Sequence, residues 1–207
     1  MDKNRLSLEM ILSMERNHRR NFINDLSSFK SANLIGTVNF DGITNLAVFN
    51  SVVHIGANPP LMGFILRPTV VARQTYDNIK ATGYFTINPI TEKLRDRAHQ
   101  TSAKYPEGIS EFIMTGIKPE FSKSHPAPYV AESPFKIGLK IEEEQLIKAN
   151  GCRLIIGRII EVLIDDKLIT PDGHIDLKKS KVLTISGLDT YSVVGKGQQL
   201  EYARPDC

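Results

Sequence analysis

Turn dipeptides set between β-prone runs constrain this chain more than any other feature. Asp41-Gly42 separates LIGTVNF from ITNLAVFN, and because both residues tolerate positive φ the pair predicts a hairpin. Asn150-Gly151 precedes CRLIIGRIIEVLI, a long β-branched run in which Gly157 marks a bulge or a point of close approach. Asp172-Gly173 marks a further turn. FKIGLKI, 135–141, alternates apolar and polar residues and predicts a half-buried strand. The stretch 45–68, NLAVFNSVVHIGANPPLMGFILRP, is interrupted by Asn58-Pro59-Pro60. Proline cannot donate to a sheet ladder, so this stretch reads as two strands, about 45–54 and 61–67, joined by a rigid loop. Hairpin-linked strands, about six or seven of them, with short helices between, predict a mainly β antiparallel barrel or sandwich and not a doubly wound parallel sheet.

Helical signals are weaker. Leu8, Ile11, Leu12, Phe22, Leu26 and Phe29 recur at near-helical spacing across 5–30 and predict one or two helices. Thr75 can cap a helix over 76–82 that Gly83 ends, followed by a short strand at 84–88. A charge-rich helix is expected at 91–100, and Glu142-Glu143-Glu144 reads as a solvated turn.

Composition serves mainly to exclude. At 207 residues, with 41% hydrophobic and 24% charged residues, the chain is ordinary for a soluble globular protein with a core of its own. A net charge of +3 does not argue for nucleic acid, and the cluster Arg16-Asn17-His18-Arg19-Arg20 reads as a solvated helix face. With 7% aromatic residues and no tryptophan, an oligonucleotide-binding barrel is disfavoured. No run approaches the ~18 apolar residues of a membrane helix. Glu9 and Ser13 interrupt what would be the apolar part of a secretory signal, so a cytoplasmic location is expected. Cys152 and Cys207 lie far apart and outside any CxxC, and His18, His54, His99, His125 and His174 lack metal-ligand spacing; neither a disulfide framework nor a zinc site is expected. Gly195-Lys196-Gly197 lacks the third glycine and the setting of a dinucleotide fingerprint.

Two stretches could carry chemistry. Arg67, Arg73, Thr75 and Asn78 surround the predicted helix start, where unpaired amides and the helix dipole make a natural phosphate seat; the alternative is an ordinary capped helix with surface arginines. Asn45 to Ser51 could offer a strand edge to a flat heteroaromatic ring, small side chains permitting close approach; the alternative is a plain strand entering a loop.

The order NFDGITNLAVFNSV, NPPLMGFILRP, RQTYDNIKATGYFTIN, HQTSAKYPEGISEF, YVAESPFKIG, LIIGRIIEV, GLDTYSV, YARP resembles the flavin reductase-like family of FMN-binding split barrels, from about Leu34 to Pro205. The resemblance implies a six-to-seven-stranded antiparallel split β-barrel of Greek-key type over 34–207 and a homodimer holding FMN non-covalently near the subunit interface; residues 1–33 carry less of it and are expected to form a helical extension packing on the barrel or on the partner subunit. It implies ring contacts at Asn45, Ala47, Phe49, Asn50 and Ser51, and phosphate contacts at Arg67, Arg73, Thr75 and Asn78. The segment with His99, Thr101 and Ser102 would close over the flavin, His99 being placed to meet nicotinamide or acceptor. The Pro-Pro loop would then turn the ring strand into the strand that delivers Arg67. The implied activity is reduction of FMN by NAD(P)H, hydride passing to N5, with electrons going on to an acceptor, possible acceptors including a partner protein or monooxygenase. The alternative is an FMN electron carrier of the flavoredoxin kind with no pyridine-nucleotide activity of its own. Many relatives have Lys-Asp where this chain has Arg73-Gln74, and the region after the SP element, FKIGLKI, lacks the cysteine that some carry.

Overall fold

The computed structural model describes residues 5–70, 73–106 and 108–205; Cys207 lies outside them. The first apolar spacing resolves into two helices, α1 (Leu8–Ser13) and α2 (Arg16–Leu26). Ser7 caps the first, its Oγ accepting from Met10 N at 3.3 Å; the Glu15 carboxylate caps the second, accepting from Asn17 N at 2.7 Å and His18 N at 3.0 Å. Neither helix buries a residue.

The chain then runs β1 (Lys30–Ser31), β2 (Asn33–Val38), β3 (Thr44–Phe49), β4 (Val52–Ala57), β5 (Pro60–Leu66), α3 (Gln74–Thr82) and β6 (Tyr84–Pro89). After these come α4 (Arg95–Gln100), α5 (Glu111–Thr115), β7 (Pro119–Glu120), β8 (Tyr129–Val130), β9 (Phe135–Ile147) and β10 (Cys152–Ile164). A short helix α6 (Leu177–Ser180) leads into β11 (Leu183–Ser186) and β12 (Thr190–Val193). The main sheet has seven antiparallel strands in the order β3-β2-β6-β9-β10-β5-β4, with a three-stranded sheet β1-β11-β12 and a two-stranded ribbon β7-β8 beside it. This is the mainly β, antiparallel architecture that the turn signals predict.

The Asp41-Gly42 hairpin forms as expected, with Gly42 at φ 80° and Ile43 N held by Asn39 Oδ1 at 2.8 Å. Gly157 proves to be both bulge and close approach: the β9–β10 register shifts there, and a Cβ would stand 2.6 Å from Phe85 Cζ. The stretch 45–54 requires correction. It is not one strand, because the chain leaves β3 at Asn50-Ser51 and crosses to the opposite edge of the sheet as β4. Side chains fasten that break: Asn50 Nδ2 donates to Gly187 O at 2.8 Å and Ser51 Oγ to Ile65 O at 2.9 Å. The Pro-Pro pair therefore turns β4 into β5; it does not join the strand of Asn45 directly to that of Arg67. The helix expected at 91–100 begins only at Arg95. Glu142-Glu143-Glu144 is no turn but part of β9, where Glu144 joins strands to helix as described below.

Two cores lie on either side of β2, whose six residues are all buried. Alternation sends Leu34 into one core, with Leu46, Ile90, Leu94, Phe112 and Ile185, and Ile35 into the other, with Phe64, Ile79, Phe85, Leu139 and Ile155. A strand covered on both faces has no solvated side; the polar residues of NLIGTV, Asn33 and Thr37, are buried as well and make hydrogen bonds, Asn33 to Ser31 and Thr37 to Asn45 and Asn78. The helices α4 and α5 close the first core through Leu94, Ala98 and Phe112; α3 closes the second through Ile79.

Candidate functional site

The start of α3 sits against the β2–β3 hairpin and holds most of the residues expected to bind phosphate. Thr75 is not the cap. Arg73 is, with no side-chain cap bond to the first-turn amides. The Thr75 hydroxyl is turned inward instead, where Oγ1 accepts from Asn45 Nδ2 at 3.0 Å. Asn45 Nδ2 also reaches Thr37 Oγ1 at 3.3 Å, and Asn78 Nδ2 donates to the same oxygen at 3.1 Å. Thr37, Asn45, Thr75 and Asn78 thus form one buried network, with Thr37 between the two amides. A polar group this deep is costly unless bonded, so the network fixes the helix to the hairpin in a single arrangement. The helix ends as expected on Gly83, at φ 79°, its N–H reaching Ile79 O at 2.8 Å.

Against that satisfied cluster, Arg73 differs. Its Nε is buried and has no hydrogen-bond partner among the described residues. A guanidinium donor left in this state at a helix start whose amides lack a side-chain cap matches what an oxyanion would require. Arg67 is exposed at the end of β5, and Asp77 in the first turn is exposed as well.

On the outer side of α3, Glu144 accepts from Tyr76 OH at 2.9 Å and Lys80 Nζ at 3.0 Å, and pairs with Arg153 Nη1, whose guanidinium stacks over the Tyr76 ring at 5.1 Å. Burial pushes the Glu144 carboxyl up, but the bonds from Lys80, Tyr76 and Arg153 outweigh it and hold it below the usual carboxylate range. Through Tyr76 in its first turn and Lys80 in its last, α3 is thereby clamped to β9 and β10. Arg153 Nε, like Arg73 Nε, is buried without a partner among the described residues.

The residues expected at the ring lie along β3 and the break after it. Asn45 is committed to the network; Phe49 packs edge-on against Phe64 with ring centroids 4.9 Å apart; the Asn50 and Ser51 side chains are used on Gly187 and Ile65. Ala47 is half-buried on the same strand. In register, Asn45, Ala47 and Phe49 face Thr37, Ile35 and Asn33 of β2.

His99, Thr101 and Ser102 fall elsewhere, on and just after α4. Thr101 is buried with its hydroxyl on Ala98 O at 2.7 Å, and Ser102 is exposed with its hydroxyl on His99 O at 2.7 Å. His99 is exposed and meets Tyr191 OH at 3.3 Å across an open cleft of about 470 Å³ that Arg95, Asp96, Asp189 and Thr190 also line. Burial first, and the Asp189 charge second, push the Tyr191 hydroxyl up to about 12.

Sequence reasoning missed Thr37, Tyr191 and Glu111. Thr37 takes its two donors from Asn45 across the hairpin and from Asn78, 41 positions away, and Tyr191 meets His99 from 92 positions away, pairings that no local pattern announces. Glu111 lies in the SEF motif, yet nothing in the sequence says that it is buried and bonded to Leu46 N at 2.9 Å. Among the described residues no group of three or more His, Cys, Asp or Glu could hold a metal ion, and no helix is long and apolar enough to cross a membrane.

The model of the flavin reductase like domain matches residues 26–176. A protein from Shewanella frigidimarina NCIMB 400, designated a flavin reductase with split barrel domain, is 46% identical and superposes with a TM-score of 0.93 over 97% of this chain and 100% of its own. Nitrilotriacetate monooxygenase component B from Bacillus cereus shares 20% identity and a TM-score of 0.84, over 96% of this chain and 100% of that one. Flavoredoxin of Desulfovibrio vulgaris (Miyazaki F) shares 24% identity and a TM-score of 0.75, over 86% and 94%. The last two show the fold alone; with the family match over most of the chain and the Shewanella likeness, this chain belongs to the flavin reductase-like family, a split-barrel fold.

Proposed function

We propose that the chain binds FMN and acts as an NAD(P)H-dependent flavin reductase. The observation that carries this reading is the buried Nε of Arg73, without a partner among the described residues, at the uncapped start of α3. Arg73 and the first-turn amides would hold the phosphate, with Arg67 nearby on the chain and Thr75 able to donate its hydroxyl proton while accepting from Asn45. The residues Asn45, Ala47, Phe49, Asn50 and Ser51 would line the ring through the β3 edge and the 49–51 break. When bound, FMN supplies the hydride-accepting centre at N5, as cofactors do in such enzymes.

The chain's own part is to orient and to stabilise charge. Backbone donors near the ring would meet the negative charge that reduction places there. No side chain has to act as general acid or base, in keeping with a site that holds amides, hydroxyls and guanidinium groups. The α4–β12 cleft, with His99 and Tyr191, is the proposed meeting place for nicotinamide or acceptor, Thr101 and Ser102 shaping its approach. A protein acceptor such as a monooxygenase is proposed as the destination of the electrons.

A homodimer is also proposed. Leu8, Leu12, Leu26 and Phe29 are 70%, 58%, 64% and 65% exposed in a single chain, on and just after helices that bury nothing. Apolar side chains uncovered together in this way ask for a partner surface.

The test is the visible spectrum of the purified protein, followed by rapid mixing with NADH and NADPH. A yellow protein bleached by either supports the reductase. A yellow protein that neither bleaches would be an electron carrier, and a colourless one without FMN affinity would end the proposal.

A further inference from the structure

The buried carboxylate of Glu111 takes no part in the phosphate seat or the cleft, yet it is bonded to the one strand on which the ring is proposed to rest. β3 is an edge strand: β2 covers one side and, among the described residues, no strand covers the other. In an antiparallel pair, alternate residues turn their N–H and C=O groups toward the partner strand and away from it. Leu46 N donates to Glu111 Oε2 at 2.9 Å, so Leu46 faces outward from β2. Thr44 and Val48, two residues to either side, face outward with it, while Asn45, Ala47 and Phe49 spend their backbone groups on β2. One position back, Thr44 Oγ1 and Ser110 Oγ share a hydrogen bond of 2.7 Å. Phe112, next after Glu111, is buried in the same core as Leu46. The start of α5 therefore closes the outer edge of β3 at Thr44 and Leu46.

We infer that Glu111 is a positioning residue that pins the outward amide of Leu46, fixes the edge strand in place, and leaves the stretch from Val48 onward as the part of that edge open to the flavin ring. The inference rests on the proposal that a flavin lies along β3. It adds that the first outward amide available to the ring is that of Val48, a residue the motif reading does not single out. A carboxylate this deeply buried is costly; its hydrogen-bond donors are backbone N–H groups, those of Leu46 and of Glu111 itself.

The experiment measures dissociation constants for FMN and riboflavin with the wild-type protein, Glu111→Ala, Glu111→Asp and Glu111→Gln, below the melting temperature of each. Losing the pin should weaken both flavins alike in E111A, by about tenfold, and alter the visible band shape of the bound ring. E111D, whose carboxylate is drawn back by one methylene, should lose several-fold, and it decides the matter should E111A not fold. E111Q keeps an acceptor oxygen and should recover most of what E111A loses. A role confined to stability would lower melting temperatures while leaving both constants and the spectrum unchanged, and that result overturns the inference. So does a loss for FMN alone, which would place Glu111 on the phosphate side. A wild-type protein that binds neither flavin overturns the proposed function and this inference together; one that binds both while E111A and E111D bind equally well overturns this inference only.

Discussion

The start of α3 and the cleft between α4 and β12 are both polar, but they are built differently. At α3, four buried side chains satisfy one another, and what remains is a guanidinium nitrogen with no partner among the described residues. At the cleft, His99, Arg95 and Asp96 are exposed, and a single 3.3 Å contact to Tyr191 ties the two walls. The first region has already met the cost of ordering its groups, so a ligand placed there gains most of the interaction energy. The second would have to order its side chains at each encounter. A preorganised seat suits a tightly held group and an open cleft suits one that comes and goes, which is the division expected between a resident flavin and a visiting nicotinamide.

Arg73→Ala is the most direct way to break this comparison. Removing one charge-assisted donor from a buried oxyanion site costs about 1.5–3 kcal/mol, or about 10- to 100-fold in affinity. FMN should weaken by that factor while riboflavin, which has no phosphate, stays within about twofold; titration of both ligands into the apoprotein measures it. Equal losses would remove the phosphate from α3. Asn45→Ala should come next. It strips the donor from Thr75 Oγ1 and one of the two donors from Thr37 Oγ1 inside the buried network, and the groups left behind cost about 1–3 kcal/mol of stability. Denaturant unfolding should show the loss directly, and FMN affinity should fall with it because α3 is no longer fixed to the hairpin.

The unequal legibility of these regions in the sequence has a physical basis. Asp41-Gly42 and Gly157 announce themselves because positive φ and close approach restrict residue type at the position itself. Arg73 and Thr75 were legible as neighbours on one helix start. Only the capping role fails for Thr75, since a cap and an inward network partner are the same residue type and the distant Asn45 decides between them. The stretch 45–54 reads as continuous because both halves are β-prone, and the bonds that break it run to Gly187 and Ile65, 137 and 14 positions away. Glu144 looked like a solvated turn for the same reason: Tyr76, Lys80 and Arg153 reach it only once the sheet has formed. Local rules read what local sterics fix, and long-range bonds stay hidden until the topology brings their ends together.

His99→Ala sharpens the comparison from the other side. The residue is exposed and its loss removes one long hydrogen bond and an edge-to-face ring contact with centroids 5.7 Å apart. About 1 kcal/mol at most is at stake, so flavin bleaching by NAD(P)H should slow by no more than about fivefold. The FMN dissociation constant should not move. A large effect on flavin binding would mean that the cleft belongs to the resident group and that the division drawn above is wrong.

The smallest effect concerns Tyr191 and the charge state of the cleft. Burial, with help from the Asp189 charge, raises its hydroxyl from an ordinary value near 10 to about 12 in the folded chain. A folded-state value above the unfolded one means that the fold favours the protonated phenol. The resulting stability is fully present below about pH 10, where both states are neutral, and is lost as pH rises through about 12, because the unfolded chain ionises first and more readily. Unfolding measured between pH 9 and 12 should therefore show a steeper decline for the wild-type protein than for Tyr191→Phe, which has no such group to titrate. Parallel curves would show that Tyr191 is not held neutral by its surroundings. Near neutrality the hydroxyl is a phenol on either outcome, since even an ordinary tyrosine titrates near 10; a steeper wild-type curve would show that burial beside His99 keeps it so through the alkaline range as well.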